Sequence, residues 1–382
     1  EIAASKAQAQ AEKELIPSQY SLASPMIGFM KETDMSLMQM QDGPMKTWSV
    51  SQEFLFPTKY FSRGNIQKAK SSMFTHLHMY KLLEIRGIAL SAYFRFYSAR
   101  RISRLLEAQR ETLREIARIA EAKRAAGKVP QQDEMKAHVE LTKIENQILL
   151  QAQDEAEARF ALNAALNRPV EAEVNLPGTD FSAKDIKVSK DFENANIATS
   201  HHLRGFSSTV EEAGLRKGLA KMAYLPDFQL SYRQVFGGNH PSSGKAIGIE
   251  MTVPLWFFSK ENSELSSAVL KEVAAKRELE SHKRSSELII ETLKSKVKTL
   301  SKLLEIYETS LIPQATSSLN SSRSAYSTGR VGFQELLDSE RTLYTTRIEY
   351  YENFAKLIEA VTGLEREAGV SISSLPFVEE HM

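Results

Sequence analysis

Three stretches of the chain alternate apolar and polar residues with period two. Phe228, Leu230, Tyr232 and Phe236 share one parity; Asp227, Gln229, Ser231 and Arg233 share the other. Ile247, Ile249, Met251, Val253 and Leu255 alternate with Ala246, Gly248, Glu250 and Thr252, and Trp48, Val50, Gln52, Phe54 and Phe56 alternate with Thr47, Ser49, Ser51 and Glu53. A weaker run from Tyr20 to Met30 makes a fourth. This pattern predicts strands with one apolar and one polar face. Each run is about 9–11 residues, the length of a tilted membrane-crossing strand. Trp48, Phe56, Tyr232, Phe236 and Trp256 lie near run ends, where interfacial aromatics sit. A soluble sheet packed under helices would alternate in the same way. In lipid, however, a sheet must close to satisfy its backbone, and barrels begin at about eight strands. Several copies would therefore share one barrel, and three protomers of four strands would make twelve.

A second periodicity fills most of the remaining chain. Ile102, Leu106, Gln109, Leu113, Ile116 and Ala120 step alternately by four and three. Leu293, Val297, Leu300, Leu304, Tyr307 and Leu311 do the same, as do Tyr350, Phe354, Leu357, Val361 and Leu364. Heptad spacing of this kind predicts knobs-into-holes packing. Between Thr58 and Ala126 there is no proline, and glycine occurs only at Gly64 and Gly87; as one helix this stretch would run about 100 Å. Glycines in Gly127-Lys128-Val129-Pro130 and Gly329-Arg330-Val331-Gly332 mark tight turns between antiparallel helices. Pro313 interrupts one helix and predicts a kink. A coiled-coil scaffold would explain the heptads, but not a strand pair before each set of long helices.

The two halves repeat this order. Gly127 and Gly329 are 202 residues apart, and so are the hairpin ends near Asn167 and Gly369. Leu15-Ile16-Pro17 matches Tyr224-Leu225-Pro226, each before a strand-like run. Glu53-Phe54-Leu55-Phe56-Pro57 resembles Glu250-Met251-Thr252-Val253-Pro254. The predicted organisation is a first repeat over 1–167, a less helical linker over 168–200, a second repeat over 201–369 and a tail over 370–382.

Composition narrows the partners. Lys and Arg total 49 against 48 Asp and Glu, a balance unlike that of a nucleic-acid binder. No run of about 18 apolar residues predicts a membrane helix. Glu1–Lys13 is polar and Ala-rich without a signal-peptide apolar stretch, as in a mature exported chain or a cytosolic one. The absence of cysteine removes disulfides, thiolate metal sites and a lipidated Cys from this form of the chain.

One segment is distinctive: Ile312-Pro313-Gln314-Ala315, then Ala325-Tyr326-Ser327-Thr328-Gly329-Arg330-Val331-Gly332-Phe333-Gln334-Glu335-Leu336-Leu337-Asp338-Ser339-Glu340-Arg341-Thr342-Leu343-Tyr344. It resembles the C-terminal hairpin of TolC-type outer-membrane efflux proteins. Tyr224-Leu225-Pro226-Asp227-Phe228 and Val253-Pro254-Leu255-Trp256 are also similar, and the resemblance covers nearly the whole chain. It implies a mixed α and membrane β-barrel fold: a homotrimer with a shared twelve-stranded barrel in the outer membrane of a Gram-negative bacterium, and long antiparallel coiled-coil hairpins forming a periplasmic tunnel. Residues 168–200 would form an equatorial belt. The implied function is a passive exit duct of a tripartite efflux or type I secretion system, carrying metal ions, drugs or polypeptides onward from a periplasmic adaptor and inner-membrane pump. The short N-terminus and missing Cys depart from lipid-anchored members, which leaves anchoring by acylation open for this form. A non-membrane coiled-coil scaffold or adaptor is the alternative.

No catalytic arrangement or cofactor motif stands out, and an enzyme is not expected. Glu335 and Asp338 share a helix face, where a solvated helix start would also put them. The resemblance places family acidic rings, which narrow the periplasmic mouth, on these two positions, with Tyr326 and Arg330 beside the turn as further gate candidates. Gly127, Lys128, Val129, Asp133, Glu134, Gly329, Val331 and Gly332 are the expected adaptor-contacting tips; Lys128, Asp133 and Glu134 are also candidates for the constriction. Met26, Met30, Met35, Met38, Met40 and Met45 gather around the first strand pair. Thioethers suit soft metals such as Cu(I) but also fill irregular contacts, so Met35, Met38 and Met40 are weak metal candidates. His76 and His78 point to different helix faces, and His201-His202 is expected to be a solvated helix start.

Overall fold

A computed structural model describes residues 1–32, 45–176, 181–182, 187–188, 190–236, 244–371 and 373–374. In chain order the elements are helices α1 (Ile2–Glu14) and α2 (Ile16–Tyr20), strands β1 (Met26–Glu32) and β2 (Met45–Phe54), and helices α3 (Pro57–Ala125) and α4 (Gln131–Ala165). The short strand β3 (Lys187–Val188) and α5 (His201–Lys221) follow, then strands β4 (Asp227–Phe236) and β5 (Gly244–Thr252). Helix α6 (Lys260–Ile306), a π-helical turn (Tyr307–Leu311), α7 (Ile312–Ser327), α8 (Phe333–Ala368) and β6 (Ser373–Ser374) complete the chain. No helix among the described residues is long and apolar enough to cross a membrane. The chain divides into two compact units, Glu1–Met79 with His201–Arg284, and Tyr80–Ser200 with Ser285–Met382.

The first unit holds a four-stranded antiparallel sheet in the order β1-β2-β4-β5. Its register carries the period-two pattern across all strands. Ile27, Val50, Tyr232 and Ile247 lie in one row, and Gln52, Leu230 and Ile249 in the next. The opposite face presents rows such as Gly28, Ser49, Arg233 and Ala246, or Glu53, Gln229 and Glu250. The apolar face is uncovered: Ile247 and Ile249 are each 77% exposed and Ile27 is 71% exposed. In a water-facing sheet that area would be packed away. Strands β1 and β5 are the sheet's edges.

The fourth strand begins later than the sequence suggested. Tyr20 ends helix α2, in which Pro17 occupies the first turn. Proline is tolerated there because its missing N–H had no helical partner, so this segment is helical where the equivalent Pro226 directly precedes a strand. Phe56, Val253 and Leu255 also fall beyond the strand ends.

The second unit is helical. Helix α3 is continuous over 69 residues, as the absence of proline predicted. Its heptad residues Ile102, Leu106, Gln109, Leu113, Ile116 and Ala120 are all buried, as are Tyr350, Phe354, Leu357, Val361 and Leu364 of α8. On α6, Val297 and Leu304 are fully buried. Leu311 breaks the pattern at 40% exposed. The π turn adds one residue to the helical repeat just before Pro313, which cannot donate to the carbonyl four residues back. Core contact consequently passes to Ile312 and Ala315.

Candidate functional site

The hairpin tips belong to the second unit, and both are closed by the same backbone motif. Gly127 takes φ +68° and Gly329 φ +74°. Gly127 N–H donates to Arg124 O (2.8 Å) and Lys128 N–H to Lys123 O (2.9 Å). Gly329 N–H donates to Tyr326 O (3.1 Å) and Arg330 N–H to Ala325 O (2.8 Å). These are Schellman closures, which satisfy carbonyls at a helix end and favour glycine in the left-handed position. The next helices begin after extended N-caps, Pro130 and Gly332. Asp133 and Glu134 lie in the first turn of α4, and Glu335 in that of α8, where the positive end of the helix dipole favours carboxylates.

Glu335 and Asp338 are both exposed. Asp338 accepts a hydrogen bond from Gln334 (3.0 Å) and has an Arg341 nitrogen at 3.9 Å. Lys128, Gly127, Gly329, Arg330 and Gly332 are exposed, whereas Val129, Val331, Asp133 and Glu134 are half-buried. Arg124 forms an ion pair with Glu134.

Tyr326 is the buried member of the gate candidates. It is 2% exposed and packs edge-on against Phe333 at 5.7 Å. The Lys123 ammonium lies 4.1 Å from the centre of its ring and also donates to its carbonyl. Its hydroxyl has no hydrogen-bond partner among the described residues, and burial, with the nearby Asp133 carboxylate, raises its pKa. Tyr326 thus packs into the hairpin core. The apolar packing position three residues before the turn explains this.

The two hairpins are joined by polar contacts. Arg341 pairs with Glu140 at 3.1 Å, Arg323 pairs with Glu115, and the Thr112 and Tyr344 hydroxyls are 2.9 Å apart. Sequence reasoning missed Glu340, a charged residue inside the apolar stripe. It is 2% exposed; Gln109 donates to one oxygen at 3.4 Å and the other has no partner among the described residues. Burial pushes its pKa up to about 7, against the opposing effect of the Gln109 hydrogen bond. The only sequence signal was a carboxylate among the helix positions that face inward.

The histidines are less solvated than expected. The ring of His201 stacks on that of His76 at 5.7 Å, with Nδ1 atoms 3.5 Å apart. His202 lies edge-on to Phe206 at 5.1 Å and His282 at 5.4 Å. Burial lowers the pKa of His76 and His201, assisted by each other's charge at His76 and by Arg204 at both. His78 faces Ser5 instead, Nδ1 to Oγ 2.8 Å. Met35, Met38 and Met40 lie outside the described residues. Met26 and Met30 stand on the polar face of β1, 63% and 60% exposed.

No protein-family model matches the chain. It is 21% identical over 290 residues, 75% of this chain and 68% of the other, to the cobalt-zinc-cadmium resistance protein CzcC of Cupriavidus metallidurans. Among solved structures it is similar to CusC, whose structures describe transmembrane channel formation, with TM-score 0.81, 12% identity and coverage of 97% and 89%. The outer-membrane protein VceC of Vibrio cholerae gives TM-score 0.80, 15% identity and coverage of 97% and 92%. The open state of the Neisseria gonorrhoeae MtrE outer-membrane channel gives 0.76, 15%, 97% and 86%. Strand pairs that precede long helical hairpins, in two successive rounds, together with these likenesses across nearly the whole length, give the chain the fold of the TolC-type outer-membrane channels.

Proposed function

We propose that this chain is one protomer of a trimeric outer-membrane exit duct that works with a periplasmic adaptor and an inner-membrane pump. The reading rests above all on the four-stranded sheet, whose apolar face is exposed and whose two edges are unpaired in one chain. Backbone groups in lipid must be satisfied, and pairing β5 of one copy with β1 of the next satisfies them. Three copies make a closed twelve-stranded barrel with its polar face inward. The duct is passive: cargo moves through water and no bond is broken.

Within this reading, the repeats span 1–167 and 201–369, with 168–200 as an external belt. Glu335 and Asp338 from three protomers ring the periplasmic mouth, Arg330 lies beside it, and Tyr326 sets the position of the hairpin that carries them. The tips at Gly127–Val129, Asp133–Glu134, Gly329 and Val331–Gly332 meet the adaptor. CzcC is named for resistance to cobalt, zinc and cadmium, which makes divalent transition-metal ions the first cargo class to test. Native mass measurement in detergent checks the assembly and is expected to give three copies, with ion-conducting events in planar bilayers. A monomer stable without detergent and inactive in bilayers would leave the coiled-coil scaffold as the answer.

A further inference from the structure

We propose that Glu121, Glu134 and His138 form a binding site for one divalent transition-metal ion at the tip of the first hairpin. One donor atom from each lies within 4.8 Å of the others. Glu134 and His138 are four residues apart on α4 and so share a helix face. Glu121 reaches them from the last turns of the antiparallel α3, with a carboxylate oxygen 3.5 Å from His138 Nε2.

The electrostatics fit a cation. Glu134 has a side chain only 16% exposed and is held by its ion pair with Arg124. That pair fixes the carboxylate and leaves the two acids with a net charge of one negative. An incoming divalent ion therefore still meets one net negative charge, and the Arg124 pair relieves the mutual repulsion of the two carboxylates before it arrives. An imidazole with two carboxylates is the mixed nitrogen and oxygen set that suits Zn²⁺, Co²⁺ or Ni²⁺, whereas Ca²⁺ and Mg²⁺ favour oxygen alone. Ligand atoms about 2.1 Å from a tetrahedral ion lie roughly 3.4 Å apart. Closing the observed spread of up to 4.8 Å to that separation, by up to about 1.4 Å, requires only side-chain rotations. The side chains of Glu121 and His138 are 46% and 49% exposed and free to make them. Three protein ligands leave a fourth position for water or for a donor from another molecule.

The ion would tie α3 to α4 beside the Gly127–Pro130 turn and so stiffen the tip. The site stands whether or not the chain is a duct, because its three ligands come from one protomer.

The test uses the full purified chain in detergent with the metal alone. Titration calorimetry with Zn²⁺ and visible absorption with Co²⁺ are expected to show one saturable site per protomer that survives excess Mg²⁺. His138→Ala and Glu121→Gln are each expected to weaken binding about tenfold or more and to change the Co²⁺ spectrum, with metal-free melting unchanged. A double variant His76→Ala/His201→Ala, which removes a close histidine pair elsewhere in the chain, is expected to bind as the unaltered chain does. Wild-type affinity in His138→Ala and Glu121→Gln, loss of binding only in the His76/His201 variant, displacement of Zn²⁺ by Mg²⁺, or no saturable site would each overturn the proposal.

Discussion

The Lys59 ammonium donates to both carboxylate oxygens of Asp227, at 2.8 and 2.9 Å. Lys59 also donates to Leu225 O at 2.9 Å, and Phe56 N–H donates to Asp227 Oδ1 at 2.9 Å. One carboxylate thus joins the start of β4 to the junction of β2 and α3. Little water reaches the pair, whose side chains are 9% and 24% exposed. Asp227→Asn keeps the shape but loses the charge-assisted bonds, at a cost of about 2 kcal/mol. Melting in detergent checks this. An unchanged melting temperature would mean that the junction is held by packing alone.

The two faces of the sheet are expected to respond differently to charge. Ile249, 77% exposed on the apolar face, lies in mid-strand. If the apolar face meets lipid as proposed, Ile249→Arg costs about 2–4 kcal/mol. Gln229→Lys, one residue from Leu230 but on the polar face, is expected to stay within about 0.5 kcal/mol and to alter conductance instead. Equal effects on stability would remove the distinction between a lipid face and a lumen face.

Glu340 makes stability depend on pH. Its folded pKa of about 7 lies above the ordinary carboxyl value of 4.5 because burial disfavours the charge. The folded state therefore binds the proton more tightly than the unfolded state. The resulting stability is complete below about pH 4.5 and is lost as pH rises through about 7, a difference of about 3 kcal/mol. Glu340→Gln is expected to stabilise the protein at pH 8 and to flatten this part of the profile. Denaturation curves at pH 5, 7 and 8 read both effects; an unaltered profile would place the titrating group elsewhere.

The proposed gate has an electrical signature. Three copies of Glu335 and Asp338 would put six carboxylates at one mouth. Such a ring favours cations and binds multivalent ones, and it shares protons because close like charges raise one another's pKa. Replacing both residues with Ala is expected to reduce cation selectivity in planar bilayers and to weaken block by trivalent cations. Salt is expected to blunt the original preference, since screening shortens to about 3 Å at 1 M. Unchanged selectivity and block in the double variant would make these acids surface residues.

Legibility in the sequence followed the strength of each periodic signal. Alternation runs unbroken from Asp227 to Arg233 and slips only at Gln234-Val235, and the strand occupies Asp227–Phe236. Heptads from Ile102 to Ala120 are all buried because a continuous helix keeps its phase. Leu311 fails where the π turn shifts that phase; Pro313 signalled an interruption, but not that it would add a residue. The four left-handed residues among those described are Gly127, Asn167, Gly329 and Gly369, two pairs separated by the 202-residue offset already visible in the turns. Glu340, Tyr326 and the histidine contacts were not legible, because each depends on which neighbour a face meets. Periodicity gives the face and says nothing of the neighbour.

The two faces of the sheet also differ in bulk. Gly28 sits against the Ser49 hydroxyl and Gly248 against that of Ser231, each so near that even a methyl group would press on it. Around them are Ser51, Thr47, Ala246 and Gly244, beside the long unbranched or flexible side chains of Met30, Arg233 and Gln229, while the reverse side carries the stiffer Ile27, Phe29, Trp48, Tyr232 and Ile249. Side chains converge on the concave side of a curved surface and fan apart on the convex side. A sheet sparse on one side and crowded on the other relaxes by bending toward the sparse side. The small volumes at these positions thus favour curl toward the polar side, a bias already carried by the single chain.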